Sequence, residues 1–473
     1  MGSIARNMET ATHGGYAEFL LSKAPRAPTL GFEPADMPSH LFDFQRACVG
    51  HNVRTGSGGL FLDTGLGKTA CELEWAHQCA EASNGRALIL TPLAVARQIE
   101  REGRRFGYDI RVVREQSEVR AGINVCNYDR LGNLRPETFG AVALDESSIL
   151  KNFTGKTTRA LIDAFASHRF RLSATATPAP NDHMELGQHA EFCGVMASNE
   201  MLMRWFIADQ TEMGKYRLKN HGIESFWDWM ASWCRMAQSP ADLGFDGSRY
   251  ELLPLNVQMI RTVNSAPVDG GDDLFGDQSV SATDIHRIKR QTSECRAEAA
   301  AALVTSESSE PWVIWCDTDY EADSIMRAIK GTNAVEVRGS YTAEKKEAAL
   351  EAFIDGSARV LITKPSVCGF GLNWQHCART VFVGRTFSYE AWYQAVRRFW
   401  RFGQTRQVDC YVILAEGEDA IGRVIDRKAG DHASMKSAMA KAMRRAASES
   451  ALLKAPYNPT NNAGVPSWLK SAA

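Results

Sequence analysis

Three short runs in this 473-residue chain carry side chains suited to phosphate chemistry. The first is Leu60–Thr69, LFLDTGLGKT. An apolar run breaks at a glycine turn and a Lys-Thr pair closes it, the sequence form of a strand, a phosphate loop and a helix start. Gly65 and Gly67 let successive backbone N–H groups turn toward phosphate oxygens. Lys68 can reach the outer phosphates, the Thr69 hydroxyl can ligate Mg²⁺, and the helix beginning there presents its positive end to the anion. The full phosphate-loop pattern has a glycine five residues before Gly67, where this chain has Leu62. A glycine turn that merely precedes a helix is the plainer alternative.

The second run is Asp145-Glu146, at the end of the apolar stretch AVALD (141–145). Asp145 would hold Mg²⁺, directly or through water, and Glu146 would orient and deprotonate an attacking water. An acidic helix cap is the alternative. The third run, YQAVRRFWRFGQ (393–404), reads as a helix in which Arg398 and Arg401 share one face. Arginine stays charged and grips phosphate in a bidentate way, so such a pair on a second domain can complete a nucleotide site held by the first. A basic surface helix is the alternative. Two further signals accompany these runs. Gln45, on a short amphipathic helix over 41–53, offers one acceptor and two donors that match an adenine edge, or else faces solvent. Gly369 and Gly371, in the run 363–374, permit close backbone approach.

The elements that must position these residues alternate. Strands at 87–90, 111–113, 123–127, 141–145 and 170–174 are separated by helices at 71–82, 94–106 and 157–167. That alternation implies a parallel sheet covered on both faces, with ligands at the C-terminal strand ends. A second such pattern has strands at 312–316, 335–338, 359–363, 380–384 and 408–414, and helices at 284–305, 322–329 and 343–353. Between the patterns, 184–250 reads as helical, with Trp205, Trp227, Trp229 and Trp233 as core or as a platform for bases. A strand at 252–263 starts the second unit, and 266–280 is an acidic, glycine-rich loop. The Ser/Thr-rich run 171–181 is a turn, or a link from the nucleotide to a bound polymer. The prolines at 25, 28, 34 and 38 interrupt any helix at the start. A helical tail begins near 431 and either packs on a domain or adds basic contacts to a polymer, with Trp468 and Leu469 near its end.

Composition narrows the class. The length implies two or three domains. A content of 44% hydrophobic and 23% charged residues is that of a soluble globular chain. No apolar run is long enough to span a bilayer, and the first residues lack a signal-peptide core, so no membrane partner and an intracellular, cytoplasmic place are expected. The eleven cysteines are scattered, without zinc or disulfide spacing. With a net charge of −2, any nucleic-acid contact must come from a local groove.

Taken in order, these runs resemble the two-lobed motor of superfamily-two helicases, most closely the Swi/Snf-like branch, over about residues 41–428. Phe44-Gln45 resembles the adenine-reading Q motif. Asp63 to Thr69 resembles motif I, whose branch version also lacks the early glycine, and this implies nucleotide contacts at Thr64, Gly65, Leu66, Gly67, Lys68 and Thr69. LTPLAVARQIERE (90–102) and CNYDRL (126–131) resemble motifs that touch the nucleic-acid backbone. Asp145-Glu146 resembles motif II, followed by the branch's Lys-Asn at Lys151-Asn152. LSATATPAPND with Glu185-Leu186 resembles motif III, and WVIWCDTDYEAD motif IV. GFGLNW resembles motif V, which implies nucleotide contacts at Gly371 and Asn373. In QAVRRFWRFGQ, similar to motif VI, Gln394, Arg398, Arg401, Gly403 and Gln404 fall on the family pattern. The chain departs from the branch at Ser147-Ser148, at Arg397 where glycine is usual, at Trp400 where histidine is usual, and in the Ala-Thr-Ala-Thr of motif III. The compact size, without chromatin-reading modules, resembles phage and bacterial helicases.

The resemblance implies an α/β fold of two RecA-like parallel-sheet lobes in tandem. An N-terminal extension (1–38) would precede an ATP-binding lobe (39–251) with a helical insertion (184–250), then a second lobe (252–430) and a helical or flexible tail (431–473). It implies ATP and Mg²⁺ as cofactors and an ATP hydrolase that acts as a DNA helicase or double-stranded DNA translocase. DNA stands ahead of RNA as partner, held by backbone contacts without sequence preference. The rival expectations are an RNA helicase, a nucleotide-gated DNA clamp that recruits a partner, and a motor subunit serving a nuclease on another chain.

Overall fold

The computed structural model describes residues 29–93, 95–180, 182–208, 216–262, 287, 289–368, 373–384, 388–415, 430 and 434–445. Four expectations lie outside the described residues: the first part of the N-terminal extension, the loop 266–280, the glycines Gly369 and Gly371, and the end of the tail with Trp468 and Leu469.

The first strand–helix series makes a fully parallel sheet. Its strands are β1 (Ser57–Leu62), β2 (Arg86–Thr91), β3 (Ile110–Val112), β4 (Gly122–Asn127), β5 (Ala141–Asp145) and β6 (Phe170–Ala174). Helices α1 (Asp43–Thr55), α2 (Lys68–Glu81), α3 (Ala96–Arg105) and α4 (Lys156–Phe165) accompany them. Strands covered on both faces are apolar throughout, as AVALD and ALIL are. Along β1, Leu60 and Leu62 enter one apolar layer and Phe61 the other, the period of two that a strand imposes.

The register brings the chemistry together. Leu60 lies opposite Ala174, and Ala174 opposite Asp145. The phosphate loop, the acidic pair and the Ser/Thr-rich run therefore leave the sheet from the same edge and at nearly the same height.

The segment 184–250 differs from its helical expectation. It contains α5 (Leu186–Phe192), α6 (Ser198–Trp205) and α7 (Ile223–Trp233), but also an antiparallel pair, β7 (Phe206–Ala208) and β8 (Tyr216–Leu218), and a further parallel strand, β9 (Cys234–Ala237). Strand β9 extends the main sheet beside β1, giving the order β3-β4-β2-β5-β6-β1-β9. Four residues, Cys-Arg-Met-Ala, are too few to show a periodicity in sequence. Only the open edge of β1 turns them into a strand. The four tryptophans are buried in the layer beneath, Trp205 against Trp229 at 4.8 Å, and serve as core.

The second parallel sheet has β10 (Asn256–Thr262), β11 (Trp312–Trp315), β12 (Ala334–Val337), β13 (Val360–Thr363), β14 (Arg379–Phe382) and β15 (Asp409–Ala415), in the order β10-β15-β14-β11-β13-β12. Helices α8 (Ser293–Ser306), α9 (Asp319–Ala328), α10 (Ala343–Ile354) and α11 (Tyr389–Val396) flank it. Inside this lobe Arg296 and Glu321 form a fully buried ion pair at 2.8 Å, and Glu321 also accepts the Asp317 and Thr318 N–H groups that open α9. A further helix, α12 (434–445), lies back on the first lobe.

The run 393–404 is not one helix, as its pattern predicted. α11 stops at Val396, and the chain continues in tight turns. The Arg398 carbonyl accepts from Trp374 N–H at 3.0 Å, and the Phe399 ring is fully buried in the second lobe's core with Trp315 and Trp374. Tertiary packing of Phe399 overrides helix continuation. Arg398 and Arg401 consequently do not share a helix face. Among the described residues no helix is long and apolar enough to cross a membrane.

Candidate functional site

The phosphate loop starts where β1 runs out. Asp63 N–H makes the last ladder bond, to the Ala237 carbonyl at 2.9 Å, and Leu66 N–H returns to the Asp63 carbonyl at 3.2 Å. Gly65 and Gly67 take φ of 90° and 74°, values that disfavour any side chain. A Cβ at Gly67 would also fall 2.1 Å from Gln45 Nε2. The buried Gln45 amide is committed locally. It donates to the Leu66 carbonyl and accepts from Phe42 N–H, both at 2.9 Å. Gln45, expected to read adenine, braces the loop through these two bonds and keeps one amide N–H beyond them.

Lys68 opens α2 and lies between the two acidic side chains, 3.8 Å from Asp145 Oδ1 and 3.6 Å from Glu146 Oε1. Burial alone would favour its neutral form, but Glu146 and Asp145 outweigh that and raise its pKa, so it stays charged. Thr69 follows, half-buried in the first helical turn. Thr91 Oγ1 donates to Asp145 Oδ2 at 2.8 Å, and the Tyr128 hydroxyl donates to the Asp145 carbonyl at 2.7 Å. Glu72, one turn along α2, is fully buried. Burial and the neighbouring Asp145 push its pKa well up, which favours a neutral carboxyl there.

Glu146 has φ 52° and ψ 49°, the left-handed region. Among the described residues it is the non-glycine with positive φ. Holding a side-chain-bearing residue there costs about 1–3 kcal/mol, and such strain clusters at functional positions. Thr175 Oγ1 donates to Glu146 Oε2 at 3.4 Å.

The second lobe faces this cluster. Arg398 is buried against Glu146 and Asp145, whose charges oppose the burial that lowers its pKa to about 10, so it remains a cation at neutral pH. Its Nη2 donates to Gln394 Oε1 at 3.1 Å, while Gln394 Nε2 donates to Thr177 Oγ1 at 3.2 Å. Gln394, expected to contact nucleotide, bridges Arg398 to the Ser/Thr-rich run. Glu390 accepts from Thr177 and pairs with Lys151. Arg401 lies on another side of the loop, its Cβ 3.6 Å from where a Gly65 Cβ would stand, with Arg397 and Glu102 as charged neighbours. Asn373 is exposed and donates to Gln375 at 3.4 Å. Gln375 in turn bonds the Phe402 carbonyl.

Three residues that sequence reasoning did not place in the site are central to it. Arg397, read as a departure from the family pattern, sits 3.2 Å from Asp63 Oδ1 and donates to Thr64 Oγ1 and to the Thr64 carbonyl at 2.5 and 3.0 Å. Tyr393 donates to Asp63 at 2.8 Å, and Lys436 of α12 lies 2.9 Å from Asp63 Oδ2. Burial would raise the Asp63 pKa, but Arg397 and Lys436, with hydrogen bonds from Lys436 and Tyr393, hold it well below the usual carboxylate range. The one available signal was that Asp63 stands inside the phosphate-loop run. Beside this cluster lies a cavity of about 340 Å³, walled by Thr64, Leu66, Tyr250, Tyr393, Arg397 and Phe402. That volume is within the range of small-molecule pockets.

The arrangement thus gathers a glycine-rich turn, a lysine, two carboxylates and a second-lobe arginine. Among the described residues no three His, Cys, Asp or Glu side chains gather into a metal cage. Thr69 and Asp145 carry oxygen donors of the kind Mg²⁺ takes, an ion that binds one or two carboxylates and completes its shell with water and substrate phosphates.

Residues 295–403 match the model of the helicase conserved C-terminal domain family. Comparison with curated protein sequences finds no match. Among solved structures, the Sulfolobus solfataricus SWI2/SNF2 ATPase core in complex with dsDNA is similar at 16% identity and a TM-score of 0.41, covering 87% of this chain and 96% of that one.

Proposed function

We propose, from a second lobe that carries a helicase conserved C-terminal domain, that this chain is an ATP-dependent nucleic-acid motor of superfamily two, of the Swi/Snf-like kind, acting on DNA. The observation that carries the reading is the facing of Lys68, Asp145 and Glu146 on the first lobe by Arg398 on the second. In this reading Gly65, Gly67 and Lys68 cradle the phosphates. Thr69 and Asp145 would hold Mg²⁺, which when bound would neutralise phosphate charge. Glu146 orients the attacking water and takes its proton. Its left-handed backbone and the Thr175 hydroxyl fix where the carboxylate points. Arg398 stabilises charge on the transferring phosphoryl group, an effect worth about 10³-fold or more in rate. Arg401 has the same role on the opposite flank of the loop, and Gln394 keeps Arg398 aimed. The lobes would move relative to one another as ATP is bound and lost, and backbone contacts from 90–102 and 126–131 would follow one strand without sequence preference.

The experiment is steady-state ATP hydrolysis without polymer and with single-stranded DNA, duplex DNA or RNA, beside Lys68→Ala and Arg398→Ala. Stimulation by duplex DNA that both substitutions abolish supports a Swi/Snf-like translocase. Stimulation by RNA alone reassigns the partner. No hydrolysis under any condition, with ATP and DNA still bound, sinks the motor and leaves a nucleotide-gated clamp.

A further inference from the structure

Helix α12 touches both lobes, in two different ways. Its apolar side, Met435, Met439, Ala442 and Met443, is buried in the layer that holds Phe61 and Trp227. Arg444 pairs with Asp242 at 3.1 Å, and Arg445 with Glu224 and Asp228 at 2.6 Å. These contacts hold the helix to the first lobe.

Lys436 does something else. Its side chain is only 11% exposed, and Nζ lies 2.9 Å from Asp63 Oδ2 and 2.6 Å from the Tyr393 hydroxyl. Asp63 belongs to the phosphate loop, and Tyr393 to α11 of the second lobe. Arg397, at the end of α11, holds the other Asp63 oxygen and grips Thr64. Three segments remote in sequence converge on one buried carboxylate. A buried ion pair is a weak source of stability, since well-packed apolar side chains often replace it at no loss. An apolar pair of similar volume at both positions would hold the helix as well, whereas loss of the lysine alone leaves Asp63 with Arg397 as its charged partner. A lysine here is better explained by the geometry it imposes on Asp63 and Tyr393.

We propose that Lys436 is a positioning residue for hydrolysis: through Asp63 and Tyr393 it sets how α11 meets the phosphate loop, and so places Arg398, the residue after Arg397, against Glu146. This rests on the ATPase reading above. It makes the C-terminal helix part of the working site, although it belongs to neither parallel sheet.

The test uses the full chain with Lys436→Met, Lys436→Arg and, as control on the same helix, Arg445→Ala. The first readout is the interlobe distance without ligand, from energy transfer between dyes on azide-bearing residues introduced at the exposed positions Glu81 and Lys330. Lys436→Met should lengthen or broaden the distance, Lys436→Arg should restore it, and Arg445→Ala should match the parent chain. An unchanged distance in Lys436→Met overturns the proposal. The second readout is the rate law. Lys436→Met should lower kcat by about 10- to 100-fold while the KM for ATP changes little, because the phosphate cradle is intact. Full kcat in Lys436→Met also overturns it. If the parent chain does not hydrolyse ATP, the ATPase reading fails on its own, and the distance measurement still decides whether Lys436 sets the lobes. Should Lys436→Met fold poorly, Lys436→Gln carries both readouts.

Discussion

Gly65→Ala loads the contact between the glycine-rich loop and the second lobe. Gly65 has φ 90°, and an added Cβ would stand 2.9 Å from Phe402 N and 3.1 Å from Phe402 Cβ. Both are atoms of the second lobe's turn, one of them backbone, so no side-chain rotation relieves the clash. Gly107 provides a matched control, with φ 89° and nothing within 4 Å of the added Cβ. Each alanine pays a left-handed backbone cost of about 1–2 kcal/mol. Only Gly65→Ala must also push the Phe402 turn away. Reaching an ordinary contact of 3.4 Å from 2.9 Å requires a retreat of at least 0.5 Å. Arg401 and Arg398 ride on that turn. If a 1 Å misplacement costs about 10²-fold, half of that costs about 10-fold in kcat, or about 1.4 kcal/mol of barrier. The assay pairs urea unfolding with steady-state ATP hydrolysis for both variants. Gly65→Ala should lose at least as much stability as Gly107→Ala, and only Gly65→Ala should lose kcat. Equal kcat in the two variants would refute the reasoning, because Phe402 would then not sit on the loop in the state that hydrolyses.

Three further outcomes are expected. Glu146→Gln should keep ATP binding, measured at equilibrium, and lose about 10²- to 10⁴-fold in hydrolysis, the usual worth of a general base. Arg398→Lys should not be conservative, because a single ammonium cannot reproduce the fork between Gln394 and phosphate; kcat should fall about 10³-fold, and a value within a few-fold of the parent would remove Arg398 from the reaction. His189 is fully buried, near Ser173 Oγ (2.6 Å) and the Pro178 carbonyl (2.9 Å), and burial lowers its pKa from 6.5 to about 4. A histidine depressed in this way is protonated first in the unfolded chain, so stability is full above pH 6.5 and is lost as pH falls toward 4. That gap is worth about 3 kcal/mol at about 1.4 kcal/mol per pH unit. Urea midpoints measured from pH 7.5 to 4.5 should fall more steeply in the parent than in His189→Gln, and parallel curves would contradict the assignment.

How far these residues could be read in advance follows from the range of the interactions involved. The strands of both sheets are legible because a doubly covered parallel strand is apolar along its length, and AVALD, ALIL and WVIWC announce themselves without help. Residues whose backbone demands are local are legible in their placement too. Gly65 and Gly67 must bend the chain, and Lys68-Thr69 must follow the bend. Asp145-Glu146 must close a strand. What escaped the reading was decided across large sequence separations. Strand β9 is a strand because β1 has an open edge. Helix α11 ends at Val396 because Phe399 is drawn into the second lobe's core beside Trp374. Gln45 is a brace because Gly67 leaves room for its amide. Arg397 reads in sequence as a departure from the family pattern, yet it holds Asp63 and Thr64, more than 330 residues earlier, and Lys436 reaches the same carboxylate from further still. Sequence fixes what each segment prefers at short range, through periodicity, turn geometry and charge. A buried carboxylate takes whichever cations the finished fold delivers to it, and that choice exists only once both lobes and α12 have packed.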